Sequence, residues 1–133
     1  MEASFRRDLA ELPALFGMAR SFCAEQSLDD DEEKIVSFIL EELFTNTVKY
    51  GSSSGAEIRV RLGVESNRLT LAMTDCDADR FDLREMPEVD VHRPLEERQP
   101  GGLGIHLVRR FADRIDYHYA DRESTITISR RLH

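Results

Sequence analysis

Three stretches of this sequence combine residue types and spacings that can do chemistry. The first is Glu42-Leu43-Phe44-Thr45-Asn46, a carboxylate and a carboxamide four residues apart. In a helix such a pair stacks on one face, about 40° apart around the axis. Both lie at the edge of the apolar stripe to which Ile35 and Ile39 belong. A carboxamide there must find partners, because a buried polar group left unpaired costs about 1–3 kcal/mol. Asn is also a poor helix former. A helix that carries both costs can use the Asn carbonyl oxygen for a hard cation such as Mg²⁺. The carboxylate one turn away is then placed to orient or deprotonate a nucleophile. The plain structural alternative is an Asn–Glu hydrogen bond, with a surface ion pair from Glu42 to a neighbouring base.

The second stretch is Gly101-Gly102-Leu103-Gly104, which holds three of the chain's 7 glycines. Glycines let a backbone approach closely, and the start of a helix offers free N–H groups and a partial positive charge, so this is a candidate phosphate cradle. It is neither the Rossmann nor the Walker pattern, since no Lys-Ser/Thr follows and no parallel βαβ unit surrounds it. An entry turn requiring positive φ would explain the glycines equally well. The third place is Asp75, where a strand runs out into an irregular segment. A carboxylate there can accept hydrogen bonds from an amino group, and it can also simply start a turn.

These residues need elements to hold them. Residues 4–9 are expected to form a short edge strand. From Leu9 to Gln26 the residues Leu9, Leu12, Leu15, Phe16, Ala19, Phe22 and Cys23 recur at three and four, which predicts a helix with Pro13 in its first turn. Asp29 or Asp30 is a good N-cap for a second helix running to about Tyr50, and the acids that follow suit its positive end. Its apolar stripe is Ile35, Val36, Ile39, Leu40, Leu43, Phe44 and Val48. Gly51–Gly55 ends it. Ile58–Val64 and Leu69–Met73 alternate around a Ser66-Asn67 turn, predicting an antiparallel hairpin. Residues 76–101 show no periodicity and contain Pro87, Pro94 and Pro100, the mark of a lid or a disordered segment. A short helix from Ile105 to about Ala112 follows, then a closing hairpin of Ile115–Tyr119 and Thr125–Ser129. This order predicts one domain over residues 1–133: an α/β two-layer sandwich, with helices on one face of a mostly antiparallel (mixed) sheet.

Composition bounds what such a domain can serve. At 133 residues with 41% apolar and 33% charged residues, the chain is a soluble globular type long enough to close a core. Its 18 basic and 26 acidic side chains give a net charge of −8. That excludes nucleic acid and anionic membrane as general partners, both of which need a basic field. The first residues do not read as a signal peptide, no long apolar run occurs in the sequence, and Cys23 and Cys76 read as free thiols, so a cytoplasmic location is expected. The acidity is uneven. Residues 75–90 carry seven acids against Arg80 and Arg84, whereas residues 93–110 carry Arg93, Arg98, Arg109 and Arg110 against Glu96 and Glu97. The stretch with a positive balance is the one that contains the glycines.

Taken in order, these stretches resemble the GHKL, or histidine-kinase-like, ATPases. Within them the match is to the small anti-sigma-factor serine kinases and their stand-alone ATP-binding relatives, and it covers most of the chain, from about Leu9 to Leu132. Glu42 and Asn46 look like the family's N box, in which the Asn helps to hold Mg²⁺ and the Glu acts as general base. Asp75 looks like the acid that recognises the adenine amino group. Arg93-Pro-Leu-Glu-Glu-Arg-Gln-Pro-Gly-Gly-Leu-Gly-Ile-His-Leu-Val108 resembles the second glycine box and its lead-in. The resemblance implies ATP and Mg²⁺ as cofactors. It makes Glu42 the catalytic residue, Asn46 the metal ligand, and Asn46, Asp75, Arg93, Arg98, Gly101, Gly102, Leu103 and Gly104 the nucleotide contacts. It implies phosphorylation of a serine on a STAS-type antagonist protein, a sigma factor as a further partner, and a homodimer, as often in such kinases. The first glycine box departs from the family pattern: it reads Asp75-Cys-Asp77-Ala-Asp79, with acids in place of both glycines. A non-catalytic protein-binding regulator on the same fold is therefore a second reading, and a detached sensor-kinase catalytic domain a third.

Overall fold

A computed structural model describes residues 1–50, 55–77 and 102–132. The chain opens with strand β1 (Glu2–Phe5) and a single 3₁₀ turn (Leu9–Glu11), followed by helices α1 (Leu12–Glu25) and α2 (Asp30–Tyr50). Strands β2 (Ile58–Glu65) and β3 (Arg68–Asp75), helix α3 (Gly102–Phe111) and strands β4 (Arg114–Ala120) and β5 (Glu123–Arg131) complete it.

The expected first helix is split. Asp8 accepts a hydrogen bond from the Ala10 N–H (2.9 Å) and caps the 3₁₀ turn, and α1 proper begins around Pro13, which the first turn tolerates. From there the pattern holds: Leu15, Met18, Ala19, Phe22 and Cys23 are buried at helical spacing. The cap of α2 is Asp29, whose carboxylate accepts from the Glu32 N–H at 2.8 Å. Asp30, Asp31, Glu32 and Glu33 fill the first turn, where the helix dipole favours negative charge. Val36, Ile39, Leu40, Leu43 and Phe44 are fully buried beneath it.

The sheet has the order β1-β2-β3-β5-β4, and every pairing among the described strands is antiparallel, without the parallel pairing that a mixed sheet would contain. Both tight turns use two residues at positive φ, Ser66-Asn67 (51°, 62°) and Asp121-Arg122 (52°, 63°), the geometry whose twist suits a two-residue hairpin. Ile58, Val60, Leu62, Leu69, Leu71, Met73, Ile126 and Ile128 form the sheet's side of the core. Helices thus cover one face of the sheet, as expected from the sequence.

Helix α3 starts three residues earlier than expected, with Gly102–Gly104 wound into its first turn rather than preceding it. Its far end is fixed by Phe111, which meets Phe38 of α2 edge-to-face at 5.9 Å. Arg130 of β5 braces the same corner. It makes a two-pronged ion pair with Glu32 (3.0 and 2.9 Å), donates to the Phe111 carbonyl (2.9 Å) and lies over the Phe111 ring. Of the expected segments, residues 51–54 of the glycine–serine turn and residues 78–101 of the lid lie outside the described residues.

Candidate functional site

The site grows from the contact between the second half of α2 and the end of β3. On β3 the alternation Leu69, Leu71, Met73 puts every second residue on the helix-facing side, and Asp75 continues that series. A carboxylate thus sits on the apolar face of the central strand and is only 6% exposed. Above it, the Thr47 hydroxyl donates to the Leu43 carbonyl (2.8 Å) and touches Met73 Sδ (3.7 Å), which docks this turn of α2 onto the strand two residues before Asp75.

Next to Thr47 is Asn46, 1% exposed. Its Nδ2 donates to the Glu42 carbonyl at 2.6 Å, so the pair is joined through the backbone rather than by the side-chain bond considered from the sequence. Asn46 Oδ1 is buried with no partner. Glu42 itself is half-buried, and its carboxyl is pushed up from the usual carboxylate range, first by burial and then by the charge of Glu41, with Lys49 opposing. A carboxylate so shifted is a better proton acceptor than an ordinary surface Glu.

A buried carboxylate must be paired. The partner of Asp75 is Arg7, which the sequence reading passed over. Arg7 Nη1 donates to Asp75 Oδ2 at 3.0 Å and Nη2 to Oδ1, and Nη1 also reaches the Thr47 carbonyl at 3.4 Å. Both side chains are almost wholly enclosed, at 8% and 7% exposure. One signal could have found it. Ala3 and Phe5 lie on the core side of β1, and continuing that period of two places Arg7, not Arg6, on the same side.

Asp77, two residues beyond Asp75, is turned outward. Its carboxylate meets Arg122 Nε (2.5 Å) from the β4–β5 turn, and its N–H donates to Asp75 Oδ1 at 3.2 Å. Of the remaining site residues named from the sequence, Gly102, Leu103 and Gly104 form the first turn of α3. The first four N–H groups of a helix have no intrahelical partner, so that turn offers donors. Arg93, Arg98, Gly101 and Asp79 lie outside the described residues. The structure therefore pairs Asp75 with Arg7, which reaches the Thr47 carbonyl beside Asn46, ties Asn46 to the Glu42 carbonyl, and has Gly102 and Gly104 in the first turn of α3.

A family model described as the histidine kinase-like ATPase domain matches residues 5–130, which span every element of this site. The chain belongs to the histidine kinase-like ATPase family. Solved structures agree on the fold. The RsbU and RsbW domains of a Mycobacterium tuberculosis protein superpose with a TM-score of 0.69 at 12% identity, covering 99% of this chain and 31% of that one. The Acinetobacter baumannii histidine kinase AdeS gives 0.54 at 15% identity, covering 98% and 68%. The histidine kinase domain of a blue-light activated kinase from Erythrobacter litoralis gives 0.53 at 19%, covering 91% and 61%. This ATPase-like chain thus spans about a third of the length of the first of these proteins. No curated protein sequence matches it.

Among the described residues no group of three or more His, Cys, Asp or Glu side chains is placed to hold a metal, and no helix is long and apolar enough to cross a membrane. Cys23 and Cys76 are free thiols.

Proposed function

We propose that this chain binds MgATP between α2, β3 and α3, and acts as a serine kinase of the anti-sigma type on a STAS-fold antagonist protein. One observation carries the reading. Among the described residues, the buried side-chain nitrogen and oxygen atoms without a partner are Asn46 Oδ1 and Arg7 Nε, and Arg7 reaches the carbonyl of Thr47, the residue next to Asn46. Folded proteins rarely leave such atoms unpaired, and a catalytic role or a bound ion is one of the recognised reasons for an exception.

An Asn carbonyl oxygen fits a hard cation, and Mg²⁺ bound alongside a nucleotide takes only one or two ligands from the protein, with phosphate oxygens and water completing its shell. Asn46 would hold it, and there it would neutralise charge on the transferred phosphoryl group. The remaining work falls to the chain's own residues. Asp75 accepts from the amino group of the base. The N–H groups of the Gly102–Gly104 turn face phosphate oxygens, with Arg93 and Arg98 of the basic stretch adding charge. Glu42, held one turn from Asn46, orients the incoming serine hydroxyl and accepts its proton. Phosphoryl transfer is mostly positioning and charge neutralisation, so these few groups suffice.

The serine kinase assignment, the STAS-type substrate, the sigma factor and a homodimer rest on the family resemblance. The test is Asn46→Ala, assayed by calorimetric titration with ATP in the presence and absence of Mg²⁺. Loss of Mg²⁺-dependent binding with the fold retained is the expected result, and unchanged affinity would overturn the metal assignment. A second reading, a non-catalytic regulator on the same fold, is favoured by the Arg7–Asp75 pair, which occupies the carboxylate that should read adenine. Transfer of labelled phosphate to a STAS-type protein separates the two readings.

A further inference from the structure

We propose that Arg7 is the specificity-determining residue of the nucleotide site: it competes with the amino group of the base for Asp75. The inference rests on the reading of this site as a nucleotide site and deepens it.

A carboxylate offers about four acceptor positions. Three of those on Asp75 are filled, two by the Arg7 guanidinium and one by the Asp77 N–H. One position on Oδ2 remains for a base. That position is also weakened, because a carboxylate already neutralised by a guanidinium no longer gives the full charge-assisted bond, which is about twice as strong as a neutral one. The two side chains close over each other, so the carboxylate has little surface of its own to offer.

Arg7 is nevertheless an imperfect occupant. Its Nε is buried without a partner, and its third hydrogen bond, to the Thr47 carbonyl, is long at 3.4 Å. An unpaired buried donor lowers the cost of leaving. The backbone beside it is pinned: Asp8 caps the following 3₁₀ turn, and the Arg6 N–H and guanidinium both donate to Glu11. Release is therefore a side-chain rotation, with no unfolding of β1. A base whose amino group donates to the carboxylate competes with the guanidinium for it, and a base without that group has no such claim. Affinity for adenine nucleotides is thus held down by Arg7, and preference for the 6-amino group is set by the balance between the two donors.

This predicts opposite signs for stability and affinity, which a merely structural ion pair would not give. The experiment is calorimetric titration of the full chain and its Arg7→Ala and Arg7→Lys variants, each with Mg²⁺ present. The ligands are ATP and purine riboside triphosphate, which lacks the 6-amino group. Arg7→Ala should melt at a lower temperature yet bind ATP about tenfold more tightly, while its affinity for purine riboside triphosphate stays as in the wild type. Arg7→Lys keeps the cation but frees one carboxylate oxygen, and a gain of a few fold for ATP alone is expected, which keeps the test open if Arg7→Ala does not fold. Equal or weaker ATP binding by a folded variant, with wild-type binding intact, overturns the competition and leaves the nucleotide site standing. An equal gain for both ligands also overturns it. Binding of neither ligand by any of the three proteins overturns the nucleotide reading itself, and this inference with it.

Discussion

Asn46→Leu should make the protein more stable and unable to respond to MgATP. Leu has the same branched skeleton of heavy atoms as Asn, so the substitution changes chemistry more than shape. It removes Oδ1, the buried acceptor with no partner, whose desolvation costs about 1–3 kcal/mol. It adds apolar surface to a position 1% exposed among core residues, a gain of about 1–2 kcal/mol, and improves helix propensity by about half a kcal/mol. Against these stands the lost hydrogen bond from Nδ2 to the Glu42 carbonyl, about 1 kcal/mol, and some strain from the larger volume, of order 1 kcal/mol. The net gain is roughly 0.5–3.5 kcal/mol, centred near 2, and for a domain of this size 2 kcal/mol raises the melting temperature by roughly 7 °C. The assay is thermal unfolding of both proteins with and without excess MgATP. A ligand at a hundred times its Kd adds about 2.7 kcal/mol to the wild type and should add nothing to the variant. A fall in melting temperature of several degrees without ligand would show that Oδ1 is satisfied in the folded state, and a retained MgATP shift would show that it holds no metal. Either result refutes the reasoning.

Other consequences can be checked separately. Burial holds the Glu42 carboxyl above its ordinary value, so its ionisation opposes folding: the contribution it makes when protonated is lost as pH rises through the folded pKa. Glu42→Gln should therefore melt higher than wild type at pH 7 and no higher at about pH 3.5, while phosphate transfer falls by about a hundredfold with nucleotide binding retained. Cys23 is pushed up to about 11 by burial and by Glu33 and Glu32, so roughly one molecule in a thousand carries its thiolate at pH 8. Iodoacetamide should leave Cys23 unlabelled in the native protein and modify it only on unfolding, as read by mass spectrometry of its peptide. Arg130→Ala removes the brace between α2, β5 and the end of α3 and leaves Glu32 without its partner, a loss of about 2–3 kcal/mol that chemical denaturation would measure.

Most of the fold could be read from period and punctuation. The burial of Leu15, Met18, Ala19, Phe22 and Cys23 follows from their spacing, and the two hairpins follow from alternation around short polar turns. The boundary errors have local causes. Leu9 and Leu12 continue the helical period of α1, but Asp8 and Pro13 divide the segment into a 3₁₀ turn and a helix, which apolar spacing does not register. Gly102 and Gly104 look like a loop by propensity, yet a first helical turn has no intrahelical N–H bonds to protect and admits them. Glu42 and Asn46 were legible because a helix converts a spacing of four into adjacency. Arg7 was not, because its partner ends a strand two places away in the sheet and 68 residues later in the chain, and only the tertiary fold brings the two together.

The acids of the first glycine box can now be weighed one at a time. From the sequence alone, Asp75 is the acid that reads the base, while Asp77 and Asp79 put negative charge beside the nucleotide; of these Asp75 and Asp77 lie among the described residues. In the folded chain each is met by a guanidinium from another part of the molecule: Asp75 by Arg7 in the interior, Asp77 by Arg122 near the surface. The two pairs are not equivalent. The outer one is exposed and is worth well under 1 kcal/mol, so it can part or reform as a ligand arrives. The inner one is buried, and breaking it without a substitute leaves a charge stranded in the core, at a cost of about 3–5 kcal/mol. An arriving base must therefore bring a donor with it if Arg7 is to leave. The net charge of −8 is thus a poor guide to this site, whose behaviour toward nucleotides depends on which cation Asp75 holds and what can replace it.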